Sequence, residues 1–338
     1  MPGKVSARTA RRIATTAAYG GGGVGLAGVG FYGLLRLEAG LARRAIGPPS
    51  DDPPVADGRY GHYSGKPISV VFFGDSSAAG VGVDSADETP GALMAAGLAE
   101  IAERPVHLTV VARIGAQTRH LAEQIEGADA RPDLAVVMVG ANDVTHRVRP
   151  TTSVRLLDEA VRRLRDEGAA VLVITCPDLG TVEPIPHPLR WVARRASRRL
   201  AAAQTVAAVE AGARTVSLGS ILGPEFAAEP GRMFSRDRFH PSPLGYATAA
   251  AAILPSAASA LNLVPEDDSP EATRGEDVLP VSVAAVEAAA QSGTEVVATQ
   301  VGGRDRGARG RWTLLRHRRR RPLPDPAQAH TDEMTVGS

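Results

Sequence analysis

Cysteine is almost missing from this chain: Cys176 is the one example in 338 residues. A lone thiol forms no intrachain disulfide, so cysteine usage neither requires nor excludes an oxidising compartment. Aromatic residues make up only 4% of the sequence, which argues against a stacking platform for nucleic-acid bases. Charge of one sign is also lacking. The net value is +1, so no global field draws in nucleic acid or an acidic substrate, and any electrostatic argument must be local. No set of His, Cys, Asp and Glu has metal-ligand spacing. What the chain does have is bulk: a hydrophobic fraction of 43% at this length can bury a sizeable core.

Long uncharged stretches are confined to the amino end. Lys4, Arg8, Arg11 and Arg12 precede Ile13 to Leu35, a run without a charged residue and of about the length that spans a hydrocarbon core. Residues 1–45 are read as a signal anchor or signal peptide. Attachment through 13–35 then implies a membrane-anchored or secreted protein of the cell envelope. Arg36, Arg43 and Arg44 follow the run, so charge does not fix its orientation. Residues 46–67, rich in Pro, Gly and Asp, read as a linker.

From Ile68 the pattern alternates between strand and helix. "ISVVFF" suits a parallel strand buried on both faces, and Thr89 to Glu103 follows as a helix with Pro90 near its start. "VHLTVV", "LAVVMV", "AVLVIT" and "RTVSL" repeat the strand signal, separated by helical stretches. A last helix runs from Ser242 to about Leu261. The pattern predicts an α/β domain over 68–263 with a doubly wound sheet of five parallel strands. Residues 264–338 turn acidic and then basic, with Arg316 to Arg321 as a polybasic cluster, and are read as a disordered tail.

In open parallel sheets, ligands gather at the carboxyl ends of the strands. The loops there carry Gly74-Asp75-Ser76-Ser77, then Gly115 in "ARIGAQT", then Asn142 and Asp143 in "GANDVTH", and finally Asp237 and His240 in "RDRFHPSPLGY". Their chemistry is complementary. A serine becomes a nucleophile when an imidazole accepts its proton, and a carboxylate fixes the tautomer of that imidazole. Asp237 and His240 can supply the acid and the base. Backbone N–H groups at Ser76 and Gly115, with the Asn142 amide, can receive an oxyanion. A phosphate loop is the poorer reading, because "GDSSAAGVG" contains neither Lys-Ser/Thr nor G-x-G-x-x-G.

These blocks, in this order and each after a predicted strand, resemble those of the SGNH hydrolases, also called GDSL-type esterases and lipases. The resemblance spans roughly Ile68 to Leu261. It implies a three-layer α/β/α flavodoxin-like fold and hydrolysis of carboxylic esters without metal or cofactor. It also implies Ser76 as nucleophile, His240 as base, Asp237 as orienting acid, and Ser76, Gly115 and Asn142 as the oxyanion hole. Asp75 and Asp143 are expected in support, holding the loops. Arg113 departs from the family, which often has Asn there, and this bears on the packing around Gly115. The expected partner is a small-molecule, lipid or glycan ester, with no specific nucleic acid, and the expected state is a monomer. The same fold without turnover, as a surface binding module, is the competing class.

Other residues carry blander expectations. Ser77 reads as a helix N-terminal residue beside the nucleophile. Cys176 reads as a small buried hydrophobe, and His146 and His187 as exposed or structural. Arg190, Arg194, Arg195, Arg198 and Arg199 form a basic helix face, solvated or resting on anionic lipid.

Overall fold

The computed structural model describes residues 29–47, 52–129, 131–218, 229–265 and 275–331, apart from 292, 305, 308, 309 and 319. A helix over 29–46 (α1) and a short strand Gly58–Tyr60 (β1) come first. The alternating part runs Ile68–Gly74 (β2), Ser76–Ala79 (α2), Pro90–Ala102 (α3), Val106–Val110 (β3), Leu121–Glu126 (α4), Leu134–Met138 (β4) and Ala141–Thr145 (α5). It continues with Pro150–Asp166 (α6), Ala170–Ile174 (β5), Leu189–Glu210 (α7), Arg214–Val216 (β6), Pro230–Met233 (α8) and Pro243–Ala260 (α9). Asp277–Pro280 (β7), Val281–Ala288 (α10), Thr294–Ala298 (β8), Arg306–Gly307 (β9), Gly310–His317 (β10), Pro326–Ala329 (α11) and His330–Thr331 (β11) complete the described chain.

The five strands expected from the sequence lie side by side as β3-β2-β4-β5-β6, all parallel. The chain leaves β2 for β3 on one side and returns to β4 on the other. That reversal opens a crevice at the strand ends. Alternate side chains build the two layers. Val70, Phe72, Val136 and Ile174 pack with Leu98 of α3 and Ile253 of α9 on one face. Val71, Phe73, Val137 and Val173 pack with Leu121 of α4 and Leu157 of α6 on the other. Such strands read as continuous apolar runs because both faces are covered. Helix starts are written locally too: Thr89 Oγ1 accepts from Ala92 N ahead of Pro90, and Ser242 Oγ accepts from Gly245 N ahead of Pro243.

The sheet extends beyond the expected five strands at both edges. Inside the stretch read as a linker, β1 pairs antiparallel with β3, and the Asp57 side chain accepts from Val110 N at 3.0 Å. The expectation of a disordered tail is overturned for most of its length. β8 pairs antiparallel with β6, β10 with β8, and β7 with β10, while α10 packs on Val209 of α7. Arg316 is buried rather than part of a solvated cluster. Arg214 and Arg318 both reach the fully buried Glu295, at 3.1 and 2.6 Å. Residues 266–274 and 332–338 of the expected tail, and 1–28 of the expected anchor, lie outside the described residues. Among the described residues, no helix is long and apolar enough to cross a membrane.

Glu295 tests whether the carboxyl-terminal strands belong to the domain. Glu295→Ala leaves two largely buried arginines facing each other without their acid, so stability to urea is expected to fall by about 3 kcal/mol. An unchanged midpoint and slope would show that these strands do not dock in solution.

Candidate active site

Asp237, Ser76 and His240 meet at the crevice. Ser76 opens α2, directly after β2, and its backbone carbonyl accepts from Val81 N at 3.0 Å, closing the turn that lifts it clear of the sheet. His240 Nε2 lies 2.8 Å from Ser76 Oγ, and His240 Nδ1 lies 2.6 Å from Asp237 Oδ2. The other Asp237 oxygen accepts from Ser235 Oγ at 2.7 Å, Phe239 N at 2.8 Å and His240 N at 2.9 Å. Burial on its own raises a carboxyl. Here the hydrogen bonds from His240, Ser235 and the two backbone N–H groups outweigh it and hold Asp237 well below the usual carboxylate range. An ionised Asp237 only accepts, so Nδ1 carries the ring proton and Nε2 is left as an acceptor facing the Ser76 hydroxyl. Phe239 meets the imidazole edge-on with ring centroids 4.9 Å apart, which fixes the ring plane.

The candidate oxyanion donors come from two further loops. Gly115 sits at φ +76 in a turn closed by Ala116 N donating to Arg113 O at 3.1 Å. Asn142 Nδ2 donates to Ala116 O at 3.1 Å, so the Asn142 and Gly115 loops are tied together. Arg113, the departure from the family pattern, turns its side chain to Glu123 at 2.6 Å and does not enter the crevice contacts. Its backbone N–H donates to Gly74 O at 3.1 Å, which pins this loop to the end of β2.

Both supporting carboxylates are buried. Asp143 accepts from Thr118 N at 3.1 Å and Ser153 Oγ at 2.7 Å, joining three segments behind the site. Asp75 caps α2 by accepting from Ser77 N at 3.0 Å. Burial pushes the Asp75 carboxyl up to about 6, with the Ser77 N–H bond and His240 pulling against it and the Asp143 charge adding to it. Ser77 sits in that cap, in the first turn of α2. Cys176 is buried and its thiol is pushed well up by that burial, so it stays a thiol. His146 is exposed, with Nδ1 2.9 Å from Asn142 O. Among the described residues, no group of three or more side chains is arranged to hold a metal ion.

Two glutamines were missed by sequence reasoning. Gln124 of α4 binds both polar groups of Gly74, accepting from its N–H and donating to its carbonyl, each at 2.8 Å. Gln204 of α7 accepts from Cys176 N at 2.8 Å and donates to Val139 O at 2.9 Å, bridging the ends of β4 and β5. Each is a polar residue on the core face of its helix, and that was the available signal. Beside Ser76 a cavity runs inward between Ile174, Leu218, Tyr246, Ala249 and Ile253.

The raised Asp75 carboxyl gives a pH signature. Its folded value of about 6 lies above that of an unfolded aspartate, so the stability it contributes is present below about pH 4 and is lost as pH rises through 6. Asp75→Asn keeps the cap acceptor and removes the charge. It is expected to unfold later than the parent at pH 8, by about 3 kcal/mol, with the difference vanishing near pH 4. A pH-independent difference in thermal unfolding between pH 4 and 8 would contradict the assignment.

The chain is similar to several known proteins. The profile of the GDSL-like Lipase/Acylhydrolase family matches residues 72–248. The chain is 43% identical over 239 residues to the GDSL-like esterase Rv1075c of Mycobacterium tuberculosis H37Rv, covering 67% of this chain and 76% of that protein. Among solved structures it is similar to LAE5, an alpha/beta hydrolase enzyme from the metagenome of Lake Arreo, at 22% identity and a TM-score of 0.44, over 61% of this chain and 100% of that one. TesA is similar at 21% identity and a TM-score of 0.43, over 58% of this chain and 99% of that one. By the match over more than half its length and by its relative, the chain belongs to the GDSL-like lipase/acylhydrolase family.

Proposed function

We propose that this carboxylic-ester hydrolase works through Ser76, His240 and Asp237 by way of an acyl-enzyme. That it hydrolyses esters follows from its family; the assignment of residues is our reading. The observation that carries it is the relay of 2.8 Å from Ser76 Oγ to His240 Nε2 and 2.6 Å from His240 Nδ1 to Asp237 Oδ2, buried at Ser76 and His240 and part-buried at Asp237. Ser76 Oγ attacks the ester carbonyl as its proton passes to His240 Nε2, while Asp237 stabilises the imidazolium. Charge develops on the carbonyl oxygen, towards which Ser76 N, Gly115 N and Asn142 Nδ2 donate. Collapse breaks the bond to the alcohol, which leaves with the proton from His240. Water, deprotonated by His240, then releases the acid and restores Ser76.

The substrates we propose are acyl lipids or acetylated carbohydrates, hydrolysed without metal or cofactor by a monomer. Attachment through 13–35 or export would place the reaction at the cell envelope. A relay this complete also favours turnover over the binding-module reading, since a binder has no use for an activated serine.

A fluorophosphonate probe mapped by mass spectrometry, with p-nitrophenyl esters from acetyl to palmitoyl, tests the assignment. Labelling is expected at Ser76 and is lost in His240→Ala. Ser76→Ala and His240→Ala should each lower kcat by about 10⁴-fold or more, and Asn142→Ala by about 10²-fold with KM little changed. Near-parental turnover in Ser76→Ala would sink the assignment.

A further inference from the structure

Helix α1 presents an apolar face that nothing among the described residues covers. It buries Glu38 and Ala42, yet leaves Leu34, Leu37 and Leu41 exposed at 42, 61 and 49%. These three, at spacings of three and four, form one stripe. The helix is nonetheless fixed to the domain. Glu38 Oε2 accepts from Leu189 N at 2.8 Å at the start of α7. Ala42 and Ile46 pack with Leu179, Val182 and Phe239, and those three also line the cavity beside Ser76. The stripe is therefore carried next to the site.

Its surroundings are cationic and aromatic. Arg36, Arg43 and Arg44 are the other charged residues of α1, and its one acid, Glu38, is buried. Two residues beyond the Leu189 contact stands Trp191, 60% exposed, with the Arg195 guanidinium 5.9 Å from its ring centroid. Tyr32 and Arg36, 5.5 Å apart, lie on the side of α1 away from the stripe, where Arg147 Nη1 donates to the Tyr32 hydroxyl at 3.3 Å. Outward-facing leucines with Arg44 at their edge, on a helix docked at the start of an arginine-rich helix that exposes Trp191, compose a surface suited to a lipid interface. The sequence running into α1, from Ile13 to Leu35, is uncharged, so the stripe continues an apolar stretch. Pairing with a second copy fits less well. It would set the arginines of α1 and of the first turns of α7 against their own kind, and α7 has no acid before Glu210.

We propose that the Leu34–Leu37–Leu41 face of α1, together with the exposed Trp191 of α7, lies on an anionic lipid bilayer and holds the ester site against the membrane surface. The proposal relies on the ester-hydrolase reading only for what that surface serves. Contact with lipid and turnover are therefore read separately.

The sequence has two tryptophans, so the full chain carrying Trp312→Phe reports from Trp191 alone. Phosphatidylglycerol/phosphatidylcholine vesicles with brominated acyl chains are expected to blue-shift and quench Trp191. The lipid needed for half-maximal quenching should rise by about tenfold on phosphatidylcholine alone or in high salt. Leu34→Gln/Leu37→Gln/Leu41→Gln should lose the quenching while p-nitrophenyl acetate turnover in solution stays unchanged. Vesicle binding without Trp191 quenching would assign attachment elsewhere and overturn the proposal. So would a dimer that the triple variant abolishes with no response to vesicles. Quenching in a chain that turns over no ester would leave the surface standing and the catalytic reading at fault.

Discussion

Everything at the site depends on how closely β2 and β4 approach at their carboxyl ends. Asp75 N donates to Met138 O at 3.0 Å, and a Cβ on Gly74 would lie 1.8 Å from that same oxygen. With φ at +138 as well, Gly74 is the residue whose missing side chain permits the contact. Its two backbone polar groups are then taken up by Gln124, and its carbonyl also receives Arg113 N. The loops bearing Ser76, Gly115 and Asn142 are thereby referred to one residue. A serine just after β2 and an amide just after β4 share a crevice because the strand order reverses at this point.

The buried Asp75 and the half-buried Asp237 are driven in opposite directions, and hydrogen-bond supply decides which way. Asp237 gathers His240, Ser235 and two backbone N–H groups, enough to outweigh its burial. Asp75 receives one backbone N–H and a distant imidazole, and burial wins. The contrast suits their positions. A carboxylate that fixes the tautomer of His240 must remain charged, whereas a helix cap works through its acceptor oxygen whether or not the other oxygen carries a proton.

What could be read from the sequence was what is local. Gly74–Ser76, the Gly115 turn, Asn142–Asp143 and Asp237–His240 are short blocks whose chemistry is complete within a few residues, and the apolar runs of β2 to β6 declare their burial on both faces. Even Ser235, two residues from Asp237, stood within reach. Gln124 and Gln204 did not declare themselves, because a glutamine on a helix says nothing of which backbone groups, 50 and 65 residues away, will need it. The carboxyl-terminal segment failed for the same reason at larger scale. "RHRRRR" looks solvated until Glu295 is known to be fully buried between Arg214 and Arg318. β8, which covers β6, is five residues long and is followed by a charged stretch, so periodicity did not betray it.

The two added ends of the chain converge on one helix. At the amino end of α7, Glu38 accepts from Leu189 N; at its carboxyl end, Arg311 Nη1 donates to Val209 O and Glu210 O at 2.9 and 3.2 Å. An acid at the N-terminus and a base at the C-terminus satisfy orphaned backbone groups and complement the helix dipole at both ends. Between them α7 carries Gln204, which holds Val139 O and Cys176 N where β4 and β5 open into the crevice. β8 also gives β6, a strand of three residues, a neighbour on what would be an exposed edge. The helix before the domain and the strands after it therefore bear on the Ser76 crevice through α7: they fix its ends, and it fixes the strand ends from which the Asn142 loop departs.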